Sequence, residues 1–377
     1  MNPFRIAVIT TAFTPMSHSD VIVRRWLDPL PTDHEFGWPG ARTEIASMYV
    51  MERGEKDLSR EICKARGIRD CETVESALVS DTGELAVDAV MIIGEHGDFP
   101  ENALGQKLYP RKELLDAVLA VLDRSPRKIP LFFDKHLSWN VEWAKEMYAA
   151  LETRGIPWFG GSSISLCPML PDPGNLRGVP MQEVVLTTFG PLEPYLFHAL
   201  EALEAVVDQR SSTRPGIDSV TAWRGEASWA AMDSRVFSMD LLEAAVAAGS
   251  IDAVAGFERW RKAREDSAEI FLIRYKDGLQ ATIVNLQGVL RKWAFACRME
   301  DREQSVASAF MAGGADMGYP HFARLAGLIQ EFFLSEKRPV PPSRLYLTTI
   351  ACAFCMQALA KPGTPLDHSE IVVPTFE

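Results

Sequence analysis

The chain has 377 residues, of which 47% are hydrophobic and 24% charged, and its formal net charge is −12. That length suggests about two domains with ample apolar material for a packed core. The acidic balance excludes general nucleic-acid binding, which needs clustered Lys and Arg to neutralise phosphate, and no apolar run reaches the ~20 residues of a membrane span.

The first residues, MNPFRIAVIT, enter a strand at once, with no basic segment followed by an apolar signal. A cytoplasmic protein without membrane or nucleic-acid partners is expected. Arg5 to Ile9 reads as a buried strand, Thr10 to Ser17 as a loop, and Ser19 to Leu27 as a helix with Ser17 or Ser19 as cap. Strand, turn and helix in this order are the layout of a dinucleotide-binding unit, yet no glycine lies between Ile9 and Asp20. The glycines of G-x-G-x-x-G let backbone approach a pyrophosphate. Without them, a helix N-terminus and the hydroxyls of Thr10, Thr11, Thr14 and Ser17 remain as candidate phosphate holders.

Asp28 to Thr43 is a long loop rich in Pro, Gly and aromatic residues, a candidate lid carrying His34, Glu35, Trp38 and Arg42. Glu44 to Met51 is the second strand. It ends at Glu52, where dinucleotide folds place the acid that binds ribose hydroxyls. Helices follow at Asp57 to Gly67 and Val74 to Ser80, then a core strand from Val87 to Ile93. That strand breaks into Gly94-Glu95-His96-Gly97-Asp98 and a loop that also carries Tyr109 and Arg111. A helix from Lys112 to Asp123 leads to the strand Ile129 to Phe133, which stops at Asp134, Lys135 and His136. Polar clusters at the carboxyl ends of apolar strands are where open α/β sheets place ligands. Val141 to Arg154 is a helix and Ile156 to Gly160 a strand. Residues 1–163 therefore alternate β and α, which argues a parallel sheet with helices on both faces.

Cys167 to Val179 reads as a Pro- and Gly-rich linker. Beyond it come a strand at Glu183 to Phe189 and a helix at Pro194 to Asp208 with His198 and Glu201. Strands follow at Ile217 to Trp223, Ala268 to Arg274 and Gln280 to Gln287, the last two joined by a Lys276-Asp277-Gly278 hairpin turn. Helices are expected at Met239 to Ala247, Phe257 to Ala263, His321 to Ser335 and Leu345 to Leu359. Residues 164–377 thus form an α+β domain with a largely antiparallel sheet. Cys352 and Cys355 make a lone C-x-x-C inside a helical run, which reads as core; a zinc site wants a second pair.

This order resembles the Gfo/Idh/MocA family of oxidoreductases. In that family a strand ends in Glu-Lys-Pro; here Asp134-Lys135-His136 stands in its place before the helix of LSWNVEWAKEMYAALETRG, and Lys135 matches the family's lysine. In LFHALEALEAVV, His198 and Glu201 match the family's histidine followed by an acid. The resemblance implies a Rossmann-like domain over 1–163 and a substrate and oligomerisation domain over 164–377. It implies hydride transfer between NAD or NADP and a sugar, cyclitol or related polyol. Lys135 would polarise the substrate hydroxyl, His198 would take the proton, and Glu95 would lie beside the cofactor. Asp134, Tyr109, Arg111 and Glu201 are candidate substrate contacts. The family's antiparallel sheet commonly mediates oligomers, and Ala268 to Gln287 offers such a surface, so a homo-oligomer is expected. The departures, an absent fingerprint and a polar loop at residues 95–98, suggest a repurposed pocket.

Two alternatives stay open. A cofactor-independent lyase, hydrolase or isomerase would use Glu95, His96, Asp98, Asp134, Lys135 and His136 for acid–base work, or to hold a divalent metal. A non-catalytic binding or assembly subunit is the other.

Overall fold

The structure is a computed structural model and describes residues 3–211 and 215–368. Two compact units emerge. The first comprises Met1–Asn102, Lys107–Ser163 and Gly313–Thr349; the second comprises Ala103–Gln106, Ile164–Ala312 and Ile350–Glu377.

The first unit alternates as its apolar runs predict. In order come β1 (Phe4–Ala12), α1 (His18–Leu27), β2 (Thr43–Glu52), α2 (Ser59–Arg66), β3 (Arg69–Cys71) and α3 (Val74–Leu78). They are followed by β4 (Ala89–Ile93), α4 (Arg111–Leu122), β5 (Leu131–Asp134), α5 (Val141–Arg154) and β6 (Trp158–Gly161). The six strands are parallel in the order β3-β2-β1-β4-β5-β6. Strand order reverses between β1 and β4, and the crevice outside the carboxyl ends of strands at such a switch point is where doubly wound folds bind ligands. Ser17 caps α1, accepting from Asp20 N, with Asp20 in the first turn and Arg24 and Arg25 in the last, as the helix dipole favours. Asn140 caps α5, which ends on left-handed Gly155.

β1 runs on through Ala12, so Thr10 and Thr11 are fully buried strand residues rather than loop residues. The stretch Asp28 to Thr43 is packed down, not a free lid. Trp38 is buried against the Trp26 ring at 4.7 Å, and Asp33 pairs with buried Arg25 at 3.3 Å.

The second unit holds β7 (Met169–Leu170), β8 (Met181–Thr188), α6 (Leu192–Val207), β9 (Ile217–Arg224), α7 (Glu226–Asp233), α8 (Met239–Gly249) and α9 (Ala253–Ala263). β10 (Glu269–Tyr275), β11 (Gln280–Asn285), β12 (Ala294–Met299) and β13 (Val306–Phe310) complete its central part. Then come α10 (Pro320–Ser335), α11 (Pro342–Ala358) and β14 (Leu366–Asp367). The eight-stranded sheet runs β14-β9-β10-β11-β8-β12-β13-β7 and is antiparallel except where β11 meets β8. The expected hairpin joins β10 to β11, with Gly278 at φ 91°.

Two expectations need correction here. Residues 164–377 do not form one continuous domain, because Gly313–Thr349 belongs to the first unit. There α10 packs on α1, and Arg25 Nη2 donates to Gly318 O at 2.6 Å. Nor does Ala268 to Gln287 offer an exposed face for another subunit. Ile270, Phe271, Leu272 and Ile273 are all buried, as are Ala281, Ile283 and Val284. The reason is local: Trp229 and Met232 of α7, Leu241, Leu242 and Ala245 of α8, and Phe257 and Trp260 of α9 form one apolar cluster with Ile270 and Val284. Burial of successive residues on both faces explains why these strands read as continuous apolar runs. Cys352 and Cys355 are buried thiols of α11, consistent with a core helix.

Among the described residues no helix is long and apolar enough to cross a membrane.

Candidate active site

The carboxyl ends of β4 and β5, neighbours in the first sheet, carry a dense set of charges. β5 ends at Asp134, and the chain turns sharply at Lys135, whose φ is 67°. β4 ends at Ile93, and His96 in the following loop also has a left-handed backbone, at 69°. Non-glycine residues rarely adopt this conformation, and it costs of order 1–3 kcal/mol at each position.

Glycines frame the loop. A Cβ on Gly94 would lie 2.6 Å from Arg111 Cγ, and one on Gly97, at φ 110°, would meet Phe99 and the Glu52 carboxylate at 2.5 and 2.7 Å. The loop therefore needs both glycines, one for close approach and one for close approach and conformation.

Glu95 stands at the centre. Arg111 Nη2 donates to its Oε2 at 2.6 Å, while Lys135 Nζ lies 3.8 Å from its Oε1. Burial opposes its ionisation, but Lys135 and Arg111 overcome that and hold Glu95 down at about 2. Arg111 Nη1 also donates to His136 Nε2 at 3.1 Å, and the Arg111 guanidinium lies 4.8 Å from the Tyr109 ring centroid. The His96 ring stands 5.3 Å from that of His18; burial, reinforced by His18, pushes it down to about 4. His96 Nε2 has no hydrogen-bond partner among the described residues.

His18, not singled out in the sequence, belongs to the same group. Its Nδ1 is 2.6 Å from Asp134 Oδ2, and its ring meets Phe322 edge-on at 5.0 Å. The Asp134 carboxylate, expected to touch substrate, is thus engaged by a histidine. Nearby in α10, His321 Nδ1 bonds Ser163 Oγ at 2.8 Å, and burial drives His321 down to about 3.

The remaining candidates fall elsewhere. Thr10 Oγ1 bonds Ile93 O at 2.9 Å, and Thr11 Oγ1 donates to Glu95 O at 2.8 Å, so both hydroxyls serve the strand ends. Thr14 stays half-buried at the turn. Glu52 and Asp98 come together, with Asp98 N donating to Glu52 Oε2 at 2.7 Å. His198 and Glu201 lie on α6 of the second unit. The His198 ring meets Trp293 edge-on at 5.5 Å, and Ser165 Oγ donates to Glu201 Oε2 at 3.3 Å. No cluster of three His, Cys, Asp or Glu among the described residues is arranged to hold a metal ion. The reason lies in the partners: Glu95 is taken by Arg111 and Lys135, Asp134 by His18, and Glu52 by an amide.

A nicotinamide dinucleotide, which the resemblance implies, rests its pyrophosphate on free amides at the β1–α1 turn. The residues of this turn do not fit it. Thr14 N donates to Ser17 Oγ at 3.1 Å and Met16 N to Asp20 Oδ2 at 2.9 Å, so two amides of the turn are already engaged by side chains. Pro15 has no amide hydrogen. Buried Asp20 puts a carboxylate at the helix N-terminus, where a phosphate's charge would sit. Glu52, the ribose candidate, is bonded to a loop amide.

No family model matches the chain, and no curated protein matches it in sequence. Its structure is similar to that of a myo-inositol dehydrogenase from Lactobacillus casei in complex with NAD(H) and myo-inositol, at TM-score 0.63 and 12% identity over 99% of both chains. It is similar also to a myo-inositol dehydrogenase from Corynebacterium glutamicum, at TM-score 0.59 and 11% identity over 98% of this chain and 100% of that one. GenD2 from gentamicin A biosynthesis, in complex with NAD, gives TM-score 0.60 and 13% identity over 98% of this chain and 97% of that one. At such identities the likeness is one of fold: the chain has the two-domain fold of the Gfo/Idh/MocA oxidoreductases.

Proposed function

We propose that this chain is an enzyme that moves protons on a small hydroxylated substrate at the carboxyl ends of β1, β4 and β5. The observation that carries this reading is the pair of left-handed non-glycine residues, His96 and Lys135, at neighbouring strand ends. Backbone strain of this kind persists where the surroundings enforce it, and it clusters at functional sites. Here it aims Lys135 at a buried carboxylate that Arg111 holds ionised. Lys135 is the group proposed to polarise or protonate a substrate oxygen, with Glu95 and Arg111 fixing its place. Groups with strongly perturbed ionisation gathered at one end of a sheet favour acid–base chemistry. The substrate class, a sugar, cyclitol or related polyol, comes by analogy from the myo-inositol named for the Lactobacillus casei enzyme.

A second reading is hydride transfer with NAD or NADP. It is favoured by the likeness of fold, over nearly the whole chain, to enzymes solved with NAD. Calorimetric titration with NAD(H) and NADP(H), together with deuterium exchange into a panel of sugars and cyclitols, separates the two. The proposal expects no nucleotide binding up to millimolar concentration, and solvent exchange at one substrate position that Lys135→Met abolishes. Micromolar nucleotide binding with turnover of the nicotinamide would overturn it in favour of hydride transfer. Exchange unaffected by Lys135→Met would remove the lysine from the chemistry.

A further inference from the structure

We infer that His18 is the general base of this site and that Asp134 is the positioning residue that makes it one. The inference rests on the reading above that the strand ends house acid–base chemistry, and it supplies that reading with a group able to accept a proton. Asp134 is the last residue of β5 and nearly sealed from solvent, while the His18 side chain on the first turn of α1 keeps 14% of its surface exposed. The 2.6 Å contact joins His18 Nδ1 to Asp134 Oδ2. A carboxylate only accepts, so the proton of a neutral His18 ring sits on Nδ1 and the lone pair sits on Nε2. Nε2 makes no hydrogen bond to any described residue.

The surroundings hold the ring in place. Phe322 of α10 stands edge-on to it, and the His96 ring lies on another side. The next residue, Ser19, is tied down by Oγ contacts to Ala12 O at 2.8 Å and to Thr10 Oγ1 at 2.5 Å. The charged and titratable groups acting on His18 are thus Asp134 from β5, Glu95 and His96 from the loop after β4, and His321 from α10. In the step, the substrate's O–H or activated C–H bond breaks, its electron pair stays on the substrate, and the proton forms the Nε2–H bond. The imidazolium so formed lies against the Asp134 carboxylate, which stabilises it without taking the proton. This is the division of labour of a base and its orienting acid.

The test reads the tautomer directly. Protein labelled with 15N-histidine is examined by long-range proton–nitrogen correlation, and the His18 signals are assigned by their loss in His18→Gln. The expected result is a wild-type neutral form with its proton on Nδ1, and a shift toward the Nε2–H tautomer in Asp134→Asn. Lys135→Met should leave the pattern unchanged. A wild-type His18 protonated at Nε2, or a signature indifferent to Asp134→Asn, would overturn the inference. Carbethoxylation mapped by mass spectrometry is the second measurement and needs no variant at Asp134. His18 should be modified in the folded protein while His321 is spared, and a His18 that reacts only after unfolding would also overturn the inference. Nucleotide binding alongside the expected tautomer would defeat the functional reading and leave the dyad standing. A wrong tautomer without nucleotide binding would do the reverse.

Discussion

Arg111 Nη2 donates to Glu95 Oε2 at 2.6 Å, and neither side chain is more than 8% exposed. Such a pair is costly to bury and costlier to break, because removing one partner strands the other charge away from water. Glu95→Gln keeps the shape and removes the charge, leaving Arg111 and Lys135 without their shared carboxylate. The variant is expected to lose about 3–5 kcal/mol of stability. Urea denaturation measures it, and a loss under about 1 kcal/mol would show that these charges are solvated rather than sealed.

Gly94 tests the same cluster by sterics alone. Its backbone is not left-handed, so alanine is conformationally tolerable there, but the new Cβ would fall 2.6 Å from Arg111 Cγ. Arg111 cannot swing aside freely, since Glu95 and His136 hold its guanidinium. Gly94→Ala is expected to cost about 1–3 kcal/mol, the usual range for overpacking. If the thermal midpoint stays at the wild-type value, Arg111 is less fixed than its bonds indicate.

The alternating first unit was legible because its strands are short apolar runs and its first helix carries its own start residue, Ser17. The cluster at Glu95, His96, Lys135 and His136 was legible for the same reason: apolar strands stop abruptly at charges. His18 was not, since its partner Asp134 is 116 residues away and a histidine beside a helix cap has no periodic signature. The return of Gly313–Thr349 to the first unit was equally hidden, being set by contacts such as Arg25 to Gly318. The covered sheet face does leave a trace in the sequence. EIFLIRY is apolar at consecutive positions, the mark of a strand buried on both sides. Helix α7, which helps to cover it, has no side-chain cap to mark its start.

The six cysteines make a prediction about reactivity. All are buried, and burial pushes the Cys63 thiol up to about 12, the Cys297 thiol up to about 11 and Cys355 higher still. Thiolate is the reactive form, so none should react promptly with a disulfide reagent near neutral pH. Titration is expected to find little reaction in the native protein and six thiols after denaturation. Rapid native reaction at Cys352 or Cys355 would contradict the reading of C-x-x-C as part of a packed helix.

Acid should weaken the fold in a defined window. His96 and His321 fall from an ordinary 6.5 to about 4 and about 3 in the folded chain, in both cases chiefly through burial. Between pH 6.5 and 4 the unfolded chain therefore binds protons at these sites that the folded chain refuses, so stability falls as pH falls. Glu95 adds to the loss lower down. Its folded value of about 2 lies under the ordinary 4.5, so the stability it gains from Arg111 and Lys135 is complete above 4.5 and is lost as pH drops through about 2. All three act in the same direction, and the histidines act first. Urea midpoints taken from pH 7.5 down to pH 4.5 should decline steadily, and His96→Gln should flatten the decline by removing one of the proton uptakes. A midpoint that holds constant across that range would mean that these two rings are hydrated in the folded chain rather than buried.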